Sequence, residues 1–153
     1  HVALAATSDT SPLVRRSAVR ALQRLNTVGP NGELALALSD ADEQVRLAAL
    51  HASTRVNVFR EIDQIVARLD DASSAVRTRA LEALGALRAG DAVVAMIAKL
   101  APENEPVPSV RAAAAAALGE IGDPAARDAV RAAADADPDR FVRDAARIAE
   151  LQI

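Results

Sequence analysis

An acidic residue and an arginine six positions later recur five times in this chain: Asp9 and Arg15, Asp40 and Arg46, Asp71 and Arg77, Glu105 and Arg111, Asp137 and Arg143. Carboxylates and guanidinium groups are the raw material of acid–base chemistry and of anion binding, so these ten residues are the first place to look for a site. Their regularity argues against catalysis. An active site needs one constellation of tuned groups, not the same pair five times, so the ten read as framework and no catalytic residue is expected.

Other chemical signals are few. Residues 135–146, DADPDRFVRDAA, open with acids at alternate positions as a calcium loop does, but Arg140 and Ala146 stand where that loop requires Gly and a bidentate Glu. The stretch reads as a capped turn between helices. His1 and His51 are the two imidazoles, neither with a second His or a thiol at ligand spacing, and the chain has no cysteine. Neither a metal nor another cofactor is expected. No glycine-rich phosphate loop or nucleophile-elbow serine is present, and without cysteine there is no disulfide framework.

The acid–arginine pairs are positioned by a repeat. Each arginine follows a valine, Val14, Val45, Val76, Val110 or Val142. Four positions after the valine stands Ala18, Ala49, Ala80, Ala114 or Ala146, and seven after it Ala21, Ala52, Ala83, Ala117 or Ala149. Eleven after it comes Leu25, Val56, Leu87, Ile121 or Ile153. Offsets of 0, 4, 7 and 11 share one stripe of an α-helix, so each segment is expected to be an amphipathic helix with a narrow face of mostly small residues. Ser11, Asp42, Ser73 and Asp139 stand at the N-cap, with Val107 in the fourth copy, and Pro12 and Pro108 suit the first turn. A shorter apolar segment precedes each helix: Leu34 and Leu38; Val58, Ile62, Ile65, Val66 and Leu69; Val93, Val94, Ile97 and Leu100; and Val130 among alanines. The unit is a helix hairpin, and stacked hairpins cover each other's stripes.

Composition agrees with this. Apolar residues make up 51% of the 153, about a quarter of the chain is alanine, and Phe59 and Phe141 are the sole aromatics, which favours helix over strand. Net charge is −3, with 10 Lys+Arg against 9 Asp+Glu in residues 1–79 and 8 against 12 in residues 80–153, so neither half has the strongly basic footprint of a general nucleic-acid binder. No membrane span or signal peptide is visible and a cytoplasmic location is expected. The opening HVALAATSD reads like the latter part of a helix, so the chain is expected to be a piece of a longer protein.

The pattern D-x-x-x-x-V-R-x-x-A-x-x-A-L, with GDP opening the hairpin at residue 122, resembles the HEAT-repeat family, and most nearly its short bacterial members named after phycobilisome lyases. The resemblance implies an all-α fold, a right-handed armadillo-like α-solenoid of about five hairpins forming one array over 1–153, with approximate repeats 1–25, 30–56, 57–88, 91–121 and 123–153. It also implies that the turn acids and helix-start arginines form a hydrogen-bonded ladder from repeat to repeat, with Glu105 and the proline-bearing loop 101–109 departing from the pattern. That loop reads as a stiff spacer.

In the family the second helix of each hairpin lines a concave surface. Offsets two and six then expose Arg16 and Arg20, Leu47 and His51, Thr78 and Glu82, Ala112 and Ala116, and Asp144 and Ile148, with Arg24, Arg55 and Arg79 flanking the basic end. The expected function is a non-enzymatic scaffold that binds another protein, or another domain of its own chain, through Arg16, Arg20, Arg24, Leu47, His51, Arg55, Arg79 and Glu82. The alternative is a subunit or appended domain of an enzyme, either tetrapyrrole or bilin lyase-like or nucleic-acid-modifying. Nucleic acid and membrane are not expected as partners.

Overall fold

The computed structural model describes residues 2–57 and 59–153; His1 and Val58, read above as an imidazole and an apolar position, lie outside the described residues. Ten α-helices and four 3-10 turns make up the regular structure, and no strand occurs among the described residues. In chain order the helices are α1 (Val2–Ala5), α2 (Pro12–Arg24), α3 (Glu33–Ala37), α4 (Glu43–Ser53), α5 (Ile62–Val66), α6 (Ser74–Ala86), α7 (Val93–Ala98), α8 (Pro108–Ile121), α9 (Arg127–Ala136) and α10 (Arg140–Glu150). The even-numbered helices carry the repeated valine–arginine segments, and the odd ones are the shorter partners.

Contacts divide the chain into two compact units, residues 1–68 and 69–153, with the boundary inside the 3-10 turn Ala67–Asp70. In the N-terminal unit α2 lies against α4, and the 3-10 turn Ala6–Ser8 packs on α2. In the C-terminal unit α6, α8 and α10 lie side by side, with α9 packed on α10.

The helix starts follow from local chemistry. Asp42 accepts the amides of Gln44 and Val45, Ser73 that of Val76, and Asp139 those of Phe141 and Val142, so each satisfies backbone donors that the helix leaves open. Ser11 stands at the N-cap of α2 without a side-chain bond, so its expected capping role is not realised; Pro12 supplies the preset backbone there instead. At the other end, α8 closes on Gly122 in the left-handed region (φ 70°), a role Asn26 and Arg88 fill after α2 and α6 at φ 51° and 49°.

The buried face is wider and bulkier than the repeat pattern alone suggests. The alanines four after each valine are all buried, and those seven after are buried in every helix but α2. The largest buried side chains, however, sit at offsets five and eight: Val19, Leu50 and Leu81 at the first, Leu22, Leu84 and Leu118 at the second. Offset eleven falls at or beyond the helix end and is not a uniform core position: Leu25 is 67% exposed, whereas Val56 is buried. Ala112, expected on the open face, is buried, whereas Ala116 is exposed. Val94 is also outside the core. Val93 and Met96 take the inner face of α7, with Leu100 buried just past its end, and leave Val94 turned away.

Small residues set the helix spacing in the C-terminal unit. A Cβ placed on Gly85 of α6 would lie 3.0 Å from the Cα of Ala117 on α8, and one on Gly119 of α8 would lie 2.9 Å from the Cα of Ala149 on α10. Glycine faces alanine at both junctions, so the helices meet almost backbone to backbone.

Candidate functional site

Each repeated arginine grips the turn before its own helix. Nη1 of Arg15 donates to the carbonyls of Asp9 and Thr10, and Nη1 of Arg46, Arg77, Arg111 and Arg143 does the same to the corresponding pair at the turn before its own helix. In Arg15, Arg77 and Arg111 the other edge of the guanidinium reaches forward to the acid of the next hairpin. Arg15 bonds Asp40 through Nε and Nη2, both at 2.8 Å; Arg77 bonds Glu105 at 2.7 and 2.9 Å; and Arg111 bonds Asp137 at 2.8 and 3.0 Å. Such two-point pairing fixes direction as well as distance. Each acid in turn accepts the amide two residues on, so Asp9, Asp40, Asp71, Glu105 and Asp137 also shape their own turns.

Glu105 does not break this arrangement. Its extra methylene lets the carboxylate reach Arg77 from the longer loop 101–109, and the side chain is 1% exposed. Sequence reasoning overlooked Lys99, the single lysine of the chain, which is buried and donates to Asp70 at 2.7 Å. Its uniqueness among seventeen arginines was the signal that could have found it.

Burial would raise the Glu105 and Asp137 carboxyls, but the hydrogen bonds from Arg77 and Arg111, together with their turn amides, hold both below the ordinary range; the Arg15 hydrogen bond does the same for Asp40. The folded carboxyls thus bind protons less readily than the unfolded ones. Their contribution to stability is complete above the ordinary values of 3.8 and 4.5 and is lost as the pH falls through the depressed folded values. Chemical denaturation at a series of pH values is expected to show stability flat above about 5.5 and falling steadily below the ordinary carboxyl range.

The residues expected to bind a partner divide between the two units. In the N-terminal unit Arg20, Arg24, His51 and Arg55 are exposed and Arg16 and Leu47 half-buried. Arg16, Arg20 and Arg24 follow one another at four-residue steps on α2, and α4, which packs beside it, carries Leu47, His51 and, just past its end, Arg55. In the C-terminal unit Arg79 and Glu82 are exposed on α6 and pair with each other at 3.3 Å. They neutralise one another locally, so they do not extend the cationic face. Among the described residues, no group of three His, Cys, Asp or Glu side chains is placed to hold a metal. No described helix is long and apolar enough to cross a membrane.

Antiparallel helix pairs joined by acid-bearing turns, with arginine forks tying one hairpin to the next, define an α-helical repeat protein of the solenoid class. The chain belongs to the HEAT-repeat family: a family model described as HEAT repeats matches residues 62–149. Among solved structures the chain resembles human deoxyhypusine hydroxylase in complex with glycerol, at 28% identity and a TM-score of 0.70 over 99% of its length, and YibA of Escherichia coli, at 19% identity and 0.68 over 99%. It spans 60% of the first and 53% of the second. A search of curated proteins gives no match.

The hydroxylase corrects one expectation. The sequence reads as non-enzymatic because its charged pairs are repetitive, yet an enzyme carries the same helical arrangement along the full length of this chain. Repetition of a pair shows that the pair is structural; it says nothing of the chemistry that the rest of a repeat protein performs.

Proposed function

We propose that this stretch is the recognition part of an enzyme, and that its N-terminal unit holds an acidic polypeptide segment against the outer face of α2 and α4. The observation that carries the reading is a set of arginines without counter-charges. Arg16, Arg20, Arg24 and Arg55 have no ion pair or side-chain hydrogen bond among the described residues, whereas exposed Arg79, Arg131, Arg140 and Arg147 of the other unit each pair with Glu82, Glu150 or Asp144. A cationic helix face beside the apolar stem of Leu47 suits glutamate- or aspartate-rich chains, which guanidinium groups bind through paired hydrogen bonds. The enzymatic side of the reading is supported by the likeness to deoxyhypusine hydroxylase. The tetrapyrrole alternative gains nothing from aromatic residues, because Phe59 is buried in one unit and Phe141 stands exposed on α10 of the other.

The test is fluorescence anisotropy with a labelled polyglutamate peptide at low ionic strength. Reversing Arg20 and Arg24 to Glu is expected to weaken binding at least about tenfold, with the helical circular dichroism signal unchanged. Equal affinity in the variant removes the assignment of the face. Tighter binding of duplex DNA than of polyglutamate, lost in the same variant, would turn the reading toward a nucleic-acid-modifying enzyme.

A further inference from the structure

We infer that the C-terminal unit binds a cationic amphipathic helix of a partner protein in the groove between α7 and α9, with loop 101–109 forming part of the wall. α7 packs on the 3-10 turn Pro124–Ala126 that leads into α9. Beyond that contact a groove of about 340 Å³ opens between the two helices. Ile97, Leu100 and Pro102 line one wall, and Ala129, Ala132 and Ala136 the other. Val94, 79% exposed one turn before Ile97, continues the apolar surface. The interval between repeated valines is longest from Val76 to Val110, and the residues that lengthen it fall in the loop that supplies Pro102 and Glu103 to the groove. The loop is pinned in place. Nδ2 of Asn104 donates to the Ala98 carbonyl at 3.1 Å, and the amides of Asn104 and Glu105 donate to that of Ala101, each at 3.0 Å.

The lining decides what the groove takes. Of the two carboxylates that touch it, Asp137 is committed to Arg111 and to the Asp139 amide, and Glu103 stands exposed at the rim, so no convergent polar set is left to orient a small polar molecule. An extended segment finds little to pair with, because both walls are built on helices whose backbone groups bond within their own turns. A helix brings its own backbone bonds already made, and a wall of alanines lets it come close. From Ala129 to Ala136 that wall runs about 10 Å, two turns, which matches apolar side chains at i, i+3 or i+4, and i+7. Charge sets the sign of the partner. Glu103, Asp128 and Asp135 are exposed beside the groove and make no ion pair or side-chain hydrogen bond among the described residues. The neighbouring bases are engaged elsewhere: Arg127 donates to the Ile153 carbonyl, Arg131 to Glu150 and buried Lys99 to Asp70. The groove also reaches the C-terminal end of α9, where the helix dipole is negative. Lysine or arginine flanking an apolar stripe complements this surface in charge and in polarity.

The test is fluorescence anisotropy of a labelled helical peptide titrated with the full-length protein. The peptide carries leucines on one face at three- and four-residue spacing and lysines on both flanks, and a companion peptide has glutamines in place of the lysines. Saturable binding of the lysine peptide, at least about tenfold tighter than that of the glutamine peptide at low salt, supports the inference. Two variants locate the site. Ala132→Arg puts a long cationic side chain at an exposed position inside the groove and is expected to weaken binding at least about tenfold. Glu103→Gln, Asp128→Asn and Asp135→Asn together remove the charge of the rim and are expected to bring the lysine peptide down to the affinity of its companion. Circular dichroism and a thermal melt establish that each variant is folded. Absence of binding, or an affinity that ignores Ala132→Arg, overturns the inference. Equal affinity for the two peptides overturns the choice of a cationic partner. Self-association without peptide that Ala132→Arg abolishes would assign the groove to a second copy of the chain and overturn it as well.

Discussion

Asp137→Ala is expected to lower the unfolding free energy of the C-terminal unit by about 3–5 kcal/mol, because it strands a charged guanidinium in the interior. Arg111 and Asp137 form a deeply buried pair, with side chains 3% and 1% exposed. Removing the carboxylate leaves Nε and Nη2 of Arg111 without acceptors and takes away the bond that Asp137 makes to the Asp139 amide. Urea denaturation of the variant measures the loss. Replacing both partners, Arg111→Met with Asp137→Leu, is expected to regain most of it, since a packed apolar pair carries no desolvation cost. A single Asp137→Ala variant as stable as the parent would mean that water reaches Arg111, and the pair could not then be the rivet that its geometry implies.

Gly119→Val is expected to cost about 3 kcal/mol, at the upper end of what an overpacked core suffers. Even the first carbon of a side chain at this position would sit 2.9 Å from the Cα and 3.0 Å from the Cβ of Ala149. Those atoms belong to a helix backbone and its shortest branch, so neither can rotate aside, and α8 and α10 must separate. Gly119→Ala should be milder, because the gain in helix propensity, about 1 kcal/mol, offsets part of the strain. Moving the space across the junction tests the cause: Ala149→Gly combined with Gly119→Ala is expected to destabilise less than the two single changes summed, a non-additivity that thermal or urea melts resolve. Additive changes would mean that the two positions do not share one space, and crowding at the junction would then not be the cause.

Both expectations depend on contacts of very different legibility. The acid–arginine pairing could be read from the chain because each hairpin repeats the same local geometry, and a residue type that recurs at a fixed offset meets its neighbour's copy at a fixed distance. Gly85 and Gly119 were not singled out, since two glycines in five copies do not form a pattern; only the approach of α8 and α10 shows why a side chain has no room there. Lys99 was similarly invisible to periodicity, and its partner Asp70 lies 29 residues away.

The candidate binding face shows the same division. Arg16, Arg20 and Arg24 fall on one side of α2 by helical period alone, and the sequence is sufficient to group them. Whether their charge is free is a matter of neighbours. Among the described residues of the N-terminal unit no acid reaches them, while in the C-terminal unit Glu82 and Asp144 neutralise Arg79, Arg140 and Arg147 within a turn of their own helices.

By itself, then, the order of residues determined the helical class, the hairpin period, the turn acids and the arginines that answer them, because each of these is set by interactions within a few residues or by repetition. Tertiary structure decided which of those groups are satisfied. Ala112 and Ala116 stand on α8 at the two offsets expected to be open, yet one is enclosed and the other exposed, and Arg111 is sealed against Asp137 while Arg20 and Arg24 meet no acid among the described residues. Burial and pairing depend on what is packed alongside, and a local pattern carries no record of that.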